Sequence, residues 1–413
     1  MHPWVRDGVN VAVRAAVMPW LVAARWSDAG RMPSWRSLGQ PARAWPLAAK
    51  VAADEFFYLS ELLAGAPYAF GESARLMAEL DQAASLFERR GWLDEPVRYH
   101  RTPPAPVGPV IAASTTPGFS YEQLSFASGY EPWPDEPGRE RWLAYEPNRT
   151  AHAWLFRHPG PPRPWIVCVP GYRMGRLLFD FVGFRIHWLH RHLGLNVAVP
   201  VLPFHGPRRV GRRSGDGYLT GDFVDTVHAQ AQTLWDIRRL IAWMRAEGAP
   251  AVGVYGLSLG GYSAAMLAAL EDDLACVVAG MAPVDFAGLL RDNSPAPLVR
   301  ATEWWGFPWA TVDRVLRVVS PLALPRRVPR ARCFLFAGVA DGLAPPAQTR
   351  ALWRHWDRPR LAWYRGSHVS FLVESVVHDL LCEALDATGL STEAGRAIGG
   401  ALGWRSPAWA WPA

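Results

Sequence analysis

Apolar positions recur along this chain in two regimes. As far as about residue 95 they are spaced by three and four, over residues 48–63 and 72–89, with Gly65, Gly71 and Gly91 at the breaks, which predicts helices. A proline-rich stretch over 96–117 interrupts this pattern and reads as a linker or an extended wrap. Short runs at 122–128, 141–145 and 151–157, separated by glycine and proline turns, predict an antiparallel start to a sheet. The regime then changes. Continuous apolar runs at Trp165–Val169, Asn196–Val201, 251–255, Cys276–Gly280, 333–337 and 361–364 alternate with helical patterns, chief among them 176–192, 222–246, 259–270 and 371–385. Buried strands alternating with helices specify a mostly parallel, doubly wound sheet covered on both faces, an α/β fold.

The expected organisation is a helical N-terminal extension and linker over 1–115, a catalytic α/β domain over 116–388 and a Trp-rich tail over 389–413. The passage 285–330, with a helical piece at 312–319, is longer than a crossover needs and reads as a candidate lid or cap.

Composition narrows the function classes. The net charge of +6 is carried by arginine, Lys50 being the only lysine, and the basic residues are interleaved with acids. A nucleic-acid-binding protein would show a basic stripe or a recognisable motif, and neither is present. Cys168, Cys276, Cys333 and Cys382 lie in apolar stretches with no Cys-x-x-Cys pair, which fits thiols buried in a reducing, cytoplasmic setting. The apolar stretch over 9–24 contains Arg14 and Pro19, lacks a small-residue cleavage site and is too short to span a bilayer. Trp4, Trp20 and Trp26 lie near Arg6, Arg14 and Arg25 and would suit a membrane surface, although packing against the main body is the more ordinary use of such a segment. His187, His190 and His192, spaced by three and two, do not share a helical face, so neither a metal nor a cofactor is called for.

The strongest chemical signal is Gly256-Leu257-Ser258-Leu259-Gly260-Gly261, directly after one predicted strand and directly before a helix. A serine raised on a strained strand-to-helix turn needs small residues two before and two after it, and the turn aims the following amide, that of Leu259, at a developing oxyanion. Such a serine also needs a base and an orienting acid. Asp341 follows a predicted strand in Gly338-Val339-Ala340-Asp341-Gly342-Leu343-Ala344-Pro345-Pro346, and His368 lies in Tyr364-Arg365-Gly366-Ser367-His368, between the last strand and the last helix. The chain order Ser, Asp, His is the order such a site requires. Asp285 is a second, weaker candidate for the acid because it lacks the Pro-Pro loop.

On these three motifs the stretch from about 165 to 385 resembles the α/β-hydrolase superfamily, in the style of its esterase, dienelactone-hydrolase and prolyl-oligopeptidase-like branches. The resemblance implies an α/β-hydrolase fold and a serine hydrolase in which Ser258 is the nucleophile, His368 the base and Asp341 the acid. The activity this resemblance implies is cleavage of a small-molecule or lipid carboxylic ester through an acyl-enzyme. The second oxyanion donor would come from Pro170-Gly171-Tyr172-Arg173-Met174-Gly175, where family members commonly have His-Gly; despite Pro170 the resemblance implies the Tyr172 N–H as donor, with that of Arg173 as the next candidate. Arg173, His205 and Arg208 emerge on the same edge and are candidates for binding substrate, although arginines on such a loop more often hold the loop itself. Acyl transfer or peptide cleavage on the same triad remain open, as does a non-catalytic binding role.

Overall fold

The computed structural model describes residues 45–63, 73–294, 296–304 and 306–391. The calls on the tryptophans and arginines before residue 45, and on most of the tail after 388, lie outside the described residues.

Nine strands form one sheet: β1 (Val110–Thr116), β2 (Phe119–Ala127), β3 (Thr150–Phe156), β4 (Trp165–Val169), β5 (Asn196–Val201), β6 (Val252–Leu257), β7 (Cys276–Gly280), β8 (Cys333–Gly338) and β9 (Arg360–Tyr364). Their spatial order is β1-β2-β3-β5-β4-β6-β7-β8-β9. The pairs joining β1, β2, β3 and β5 are antiparallel, and all pairs from β5 to β9 are parallel. This agrees with the expected antiparallel start and parallel body. β1 begins at Val110, however, inside the stretch expected to be linker.

Burial follows from the sequence pattern. Every residue of β4, β5, β6, β7 and β8 is buried, as unbroken apolar runs demand of strands covered on both sides. In chain order the α-helices are α1 (Trp45–Leu63), α2 (Ser73–Arg89), α3 (Arg139–Leu143), α4 (Leu177–Gly183), α5 (Phe223–Ala246), α6 (Leu259–Leu270), α7 (Phe286–Asp292), α8 (Ala296–Trp304), α9 (Trp309–Leu316), α10 (Pro346–His355) and α11 (Ser375–Ala387). One apolar core unites one sheet face with α2, α5, α6 and α9; the other unites the opposite face with the residues following α4 and with α11. Helix α2, through Leu80, Phe87 and the following Trp92, is therefore part of the main core.

Two expectations are corrected. Residues 141–145, read as a strand, instead end α3 and turn out of it: Arg141 pairs there with Glu79 and Asp225, and the buried Trp142 indole donates to Gln232 at 2.9 Å. The helix expected over 176–192 is divided into α4 and a wide π-type turn, Trp188–His192. The 285–330 passage contains three helices, of which α9 packs against α2 and α5. Among the described residues no helix is long and apolar enough to cross a membrane.

Candidate active site

Ser258 occupies the junction of β6 and α6 with φ +54° and ψ −115°. This left-handed backbone is strained for any residue bearing a Cβ and is held from both sides. Its N–H donates to Gly280 O at 2.9 Å. A Cβ on Gly256 would lie 2.0 Å from Gly260 O, and one on Gly260 would lie 1.8 Å from Val169 O. The two glycines are thus required by close backbone approach. Leu259 is the first residue of α6, so its amide has no intrahelical acceptor and is available to an anion.

The loop after β4 passes close to the serine. A Cβ on Gly171 would stand 3.4 Å from Ser258 Cβ. Among the described residues neither the Tyr172 amide that follows nor that of Arg173, the next candidate, has an acceptor in the protein, so they join the Leu259 amide as free donors on the loops beside Ser258. Further along the loop, Gly175 N–H donates to Asp180 Oδ1 at 3.0 Å. Burial pushes that carboxyl up to about 7.

His368 Nδ1 is 2.7 Å from Asp341 Oδ2, and Asp341 Oδ1 accepts the N–H groups of Leu343 at 3.0 Å and Ala344 at 2.7 Å. Burial of the imidazole opposes its protonation, but Asp341, and behind it Asp54, outweigh this and hold its pKa above the ordinary imidazole value. Ser258 and His368 line one cavity, while no hydrogen bond joins their side chains among the described residues. Such a contact is commonly long before substrate is bound. Asp285, the weaker acid candidate, accepts Gly288 N–H at 2.8 Å and caps α7.

The cavity has a volume of about 810 Å³ and walls that are mostly apolar. Phe57 and Tyr58 come from α1, Leu178, Phe179 and Val182 from α4, Leu289 and Leu290 from α7, and Phe371 and Leu372 from the loop after His368. The 285–330 passage thus contributes a wall through α7.

Of the three substrate-binding candidates, His205 and Arg208 are corrected. Arg208 is fully buried and donates to Val201 O, Asn148 O and Asp236 Oδ2 at 2.8–2.9 Å. His205 is fully buried behind the Tyr172 ring, its Nδ1 2.8 Å from Pro203 O, and burial pushes its pKa down to about 4. Neither lines the cavity. Arg173 does line it, but its guanidinium is committed to Glu61, Asp216 and Ser214 O. All three brace loops of the site.

The chain reading missed what α1 does. Asp54, 1 % exposed, accepts the N–H groups of His368 at 2.8 Å, Val369 at 3.1 Å and Gly342 at 3.2 Å. Lys50 Nζ reaches Glu374 at 2.6 Å and Arg365 O at 3.1 Å, while Lys50 O accepts from Ser367 Oγ at 2.6 Å. Tyr58 donates to Asn293 O, and Glu61 bridges Arg173 and Arg213. The available signal was the polar and aromatic stripe Lys50, Asp54, Phe57, Tyr58 and Glu61, which recurs along a single helical face.

No family model matches the chain. Two solved structures share the fold. Acetyl xylan esterase 1 from Thermoanaerobacterium sp. JW/SL YS485 matches with a TM-score of 0.50 and 15% identity over 73% of this chain and 93% of its own. The acetyl xylan esterase from Paenibacillus sp. R4 matches with a TM-score of 0.51 and 14% identity over 71% and 98%. At that identity the likeness establishes the α/β-hydrolase fold alone. Among curated sequences, the uncharacterized protein MT2702 of Mycobacterium tuberculosis (strain CDC 1551 / Oshkosh) is 38% identical over 373 residues, 89% of each chain. The uncharacterized protein Rv2627c of strain ATCC 25618 / H37Rv is 37% identical over the same length. Joined by similarity that runs through nearly the whole chain, this protein, with its α/β-hydrolase fold, belongs to the family of these two mycobacterial proteins.

Proposed function

We propose that the protein is a serine hydrolase that cleaves carboxylic esters of apolar acyl groups. The observation that carries this reading is the placement of Ser258, on a strained elbow followed by the free Leu259 amide, at the wall of an apolar 810 Å³ cavity that it shares with a His368 held by Asp341.

In the proposed mechanism Ser258 Oγ attacks the acyl carbonyl as His368 Nε2 takes its proton. The Tyr172 and Leu259 amides stabilise the negative charge that develops on the carbonyl oxygen. The tetrahedral species expels the alcohol, which leaves with the proton from His368, and an acyl-serine remains. Water attacks that ester, again with His368 as base, and releases the carboxylic acid and free Ser258. Asp341 fixes the ring orientation and stabilises the imidazolium at each stage. The acyl group rather than the alcohol is assigned to the cavity because apolar walls recover the hydrophobic free energy of an alkyl chain.

The test is fluorophosphonate labelling of the full-length protein beside Ser258→Ala, with turnover of p-nitrophenyl esters from acetate to palmitate. Labelling that vanishes in the variant, with turnover reduced by about 10⁴-fold or more, is the expected result. Folded wild-type protein that neither labels nor turns over any ester would refute the reading.

A further inference from the structure

We propose that Asp54, on the N-terminal helix α1, is a positioning residue for His368: its carboxylate clamps the base loop to the acid loop and adds a second negative charge behind the imidazole. This rests on the serine-hydrolase reading of the site for its catalytic consequence, but not for its geometry.

Three main-chain N–H groups from two separate loops converge on this one carboxylate. Oδ2 accepts from His368 at 2.8 Å and Gly342 at 3.2 Å, and Oδ1 accepts from Val369 at 3.1 Å. Gly342 immediately follows Asp341, so Asp54 ties the acid and the base together through their backbones, while Asp341 Oδ2 joins them through the His368 ring. Charge-assisted hydrogen bonds of this kind are stronger than neutral ones, and the clamp is almost fully shielded from water. The neighbouring turns of α1 hold the clamp in place through Lys50 and Tyr58.

Asp54 does not line the cavity, so a direct role in binding substrate is not available to it. Its effect passes through the imidazole. The charged and titratable groups facing the loop include Asp341, Asp54, the Tyr364 hydroxyl, the Lys50–Glu374 ion pair and Arg185, which donates to Leu372 O. Of these, Asp341 and Asp54 both favour protonated His368, against its burial. Asp54 therefore strengthens the base and helps to hold the imidazolium that forms as Ser258 attacks. Asp54 in turn is pushed up by its burial and drawn back by the charge of His368.

The test uses the full-length chain with Asp54→Asn and Asp54→Glu. NMR titration of the His368 ring, assigned with His368→Gln, requires no turnover. The rate of fluorophosphonate labelling against pH supplies the catalytic readout. Removing the charge in Asp54→Asn is expected to lower the His368 midpoint by about half a unit to one unit. Labelling near neutral pH should slow on the order of ten- to a hundredfold, with the deficit narrowing as pH falls. With ester substrates the loss should appear in kcat and leave KM nearly unchanged. Asp54→Glu, which keeps the charge but displaces it, should retain a raised midpoint while still labelling slowly. It carries the test if Asp54→Asn does not fold, and a midpoint and rate both equal to wild type would then overturn the proposal. A His368 midpoint unchanged in Asp54→Asn, with only the melting temperature lowered, would reduce Asp54 to a structural clamp. A shifted midpoint in a protein whose wild type never labels would uphold the action of Asp54 on the imidazole and sink the hydrolase reading instead.

Discussion

Gly260 is the residue with the least freedom in the site. Any Cβ there would lie 1.8 Å from Val169 O, main chain on main chain, with no flexible side chain able to yield. Gly260→Ala is therefore expected either to prevent accumulation of folded protein or to lower the denaturation midpoint by the equivalent of several kcal/mol, measured by urea unfolding. This constraint was legible in the sequence, because a serine flanked by small residues between a strand and a helix has few other uses. The ionisation of His368 is a second consequence at this scale. In the proposed mechanism His368 must be unprotonated to act, and Asp341 with Asp54 holds its pKa above the ordinary value near 6.5, so kcat/KM should fall on the acid side with an apparent pKa above 6.5. Asp341→Asn should move that limb to lower pH and reduce kcat by about 10⁴-fold, as read from a pH–rate profile. The same raised pKa means that His368 contributes stability at low pH that is lost as pH rises through its folded value.

At the scale of the element, α1 shows where sequence reading stops. Its three-and-four spacing predicted a helix, and its polar stripe of Lys50, Asp54 and Glu61 was visible as letters. What that stripe meets is 314 residues further on for His368, and 112 for Arg173. Periodicity says which face of a helix is buried; it carries no record of what buries it. The reverse error occurred at α3, where five residues are too few to separate alternation from a helical turn, and the ion pairs of Arg141 with Glu79 and Asp225 decided the outcome. Arg173 and Arg208 were legible as cations on the right edge, but not as already paired ones. Glu61 gives this element its own test. Its side chain is 11 % exposed and neutralises Arg173, 10 % exposed, as well as Arg213. Glu61→Ala would leave Arg173 partly buried beside a single remaining carboxylate, Asp216. Breaking a buried pair from one side costs about 3 kcal/mol or more, discounted here by the second acid and by the exposure of Arg213, so a loss of about 2 kcal/mol is expected in chemical denaturation. Because Arg173 follows Tyr172, kcat should also fall, on the order of tenfold, through a displaced oxyanion donor.

The cavity belongs to the whole molecule, since no single stretch of chain forms it: α1, the loop after β4, α4, α7 and the loop carrying His368 each give a wall. The sheet, with its antiparallel start and parallel body, was read from patterning, and the site at its edge from three motifs, but the order of the strands and the cavity volume depend on how distant segments close together. That volume sets the expected selectivity. An alkyl chain entering apolar walls gains about 0.8 kcal/mol for each methylene taken from water, which corresponds to about a fourfold rise in kcat/KM per methylene while room remains. The p-nitrophenyl ester series should therefore climb from acetate and level off once the chain reaches the end of the cavity. Leu289 lies on α7 and lines this space. Leu289→Trp shortens the room available without touching Ser258, His368 or Asp341, so the plateau should arrive at shorter chains while kcat/KM for acetate stays within about twofold of wild type. A parallel loss for every ester would instead mean that α7 supports the elbow. An unchanged series would place the acyl chain elsewhere, along the walls given by α1 and α4.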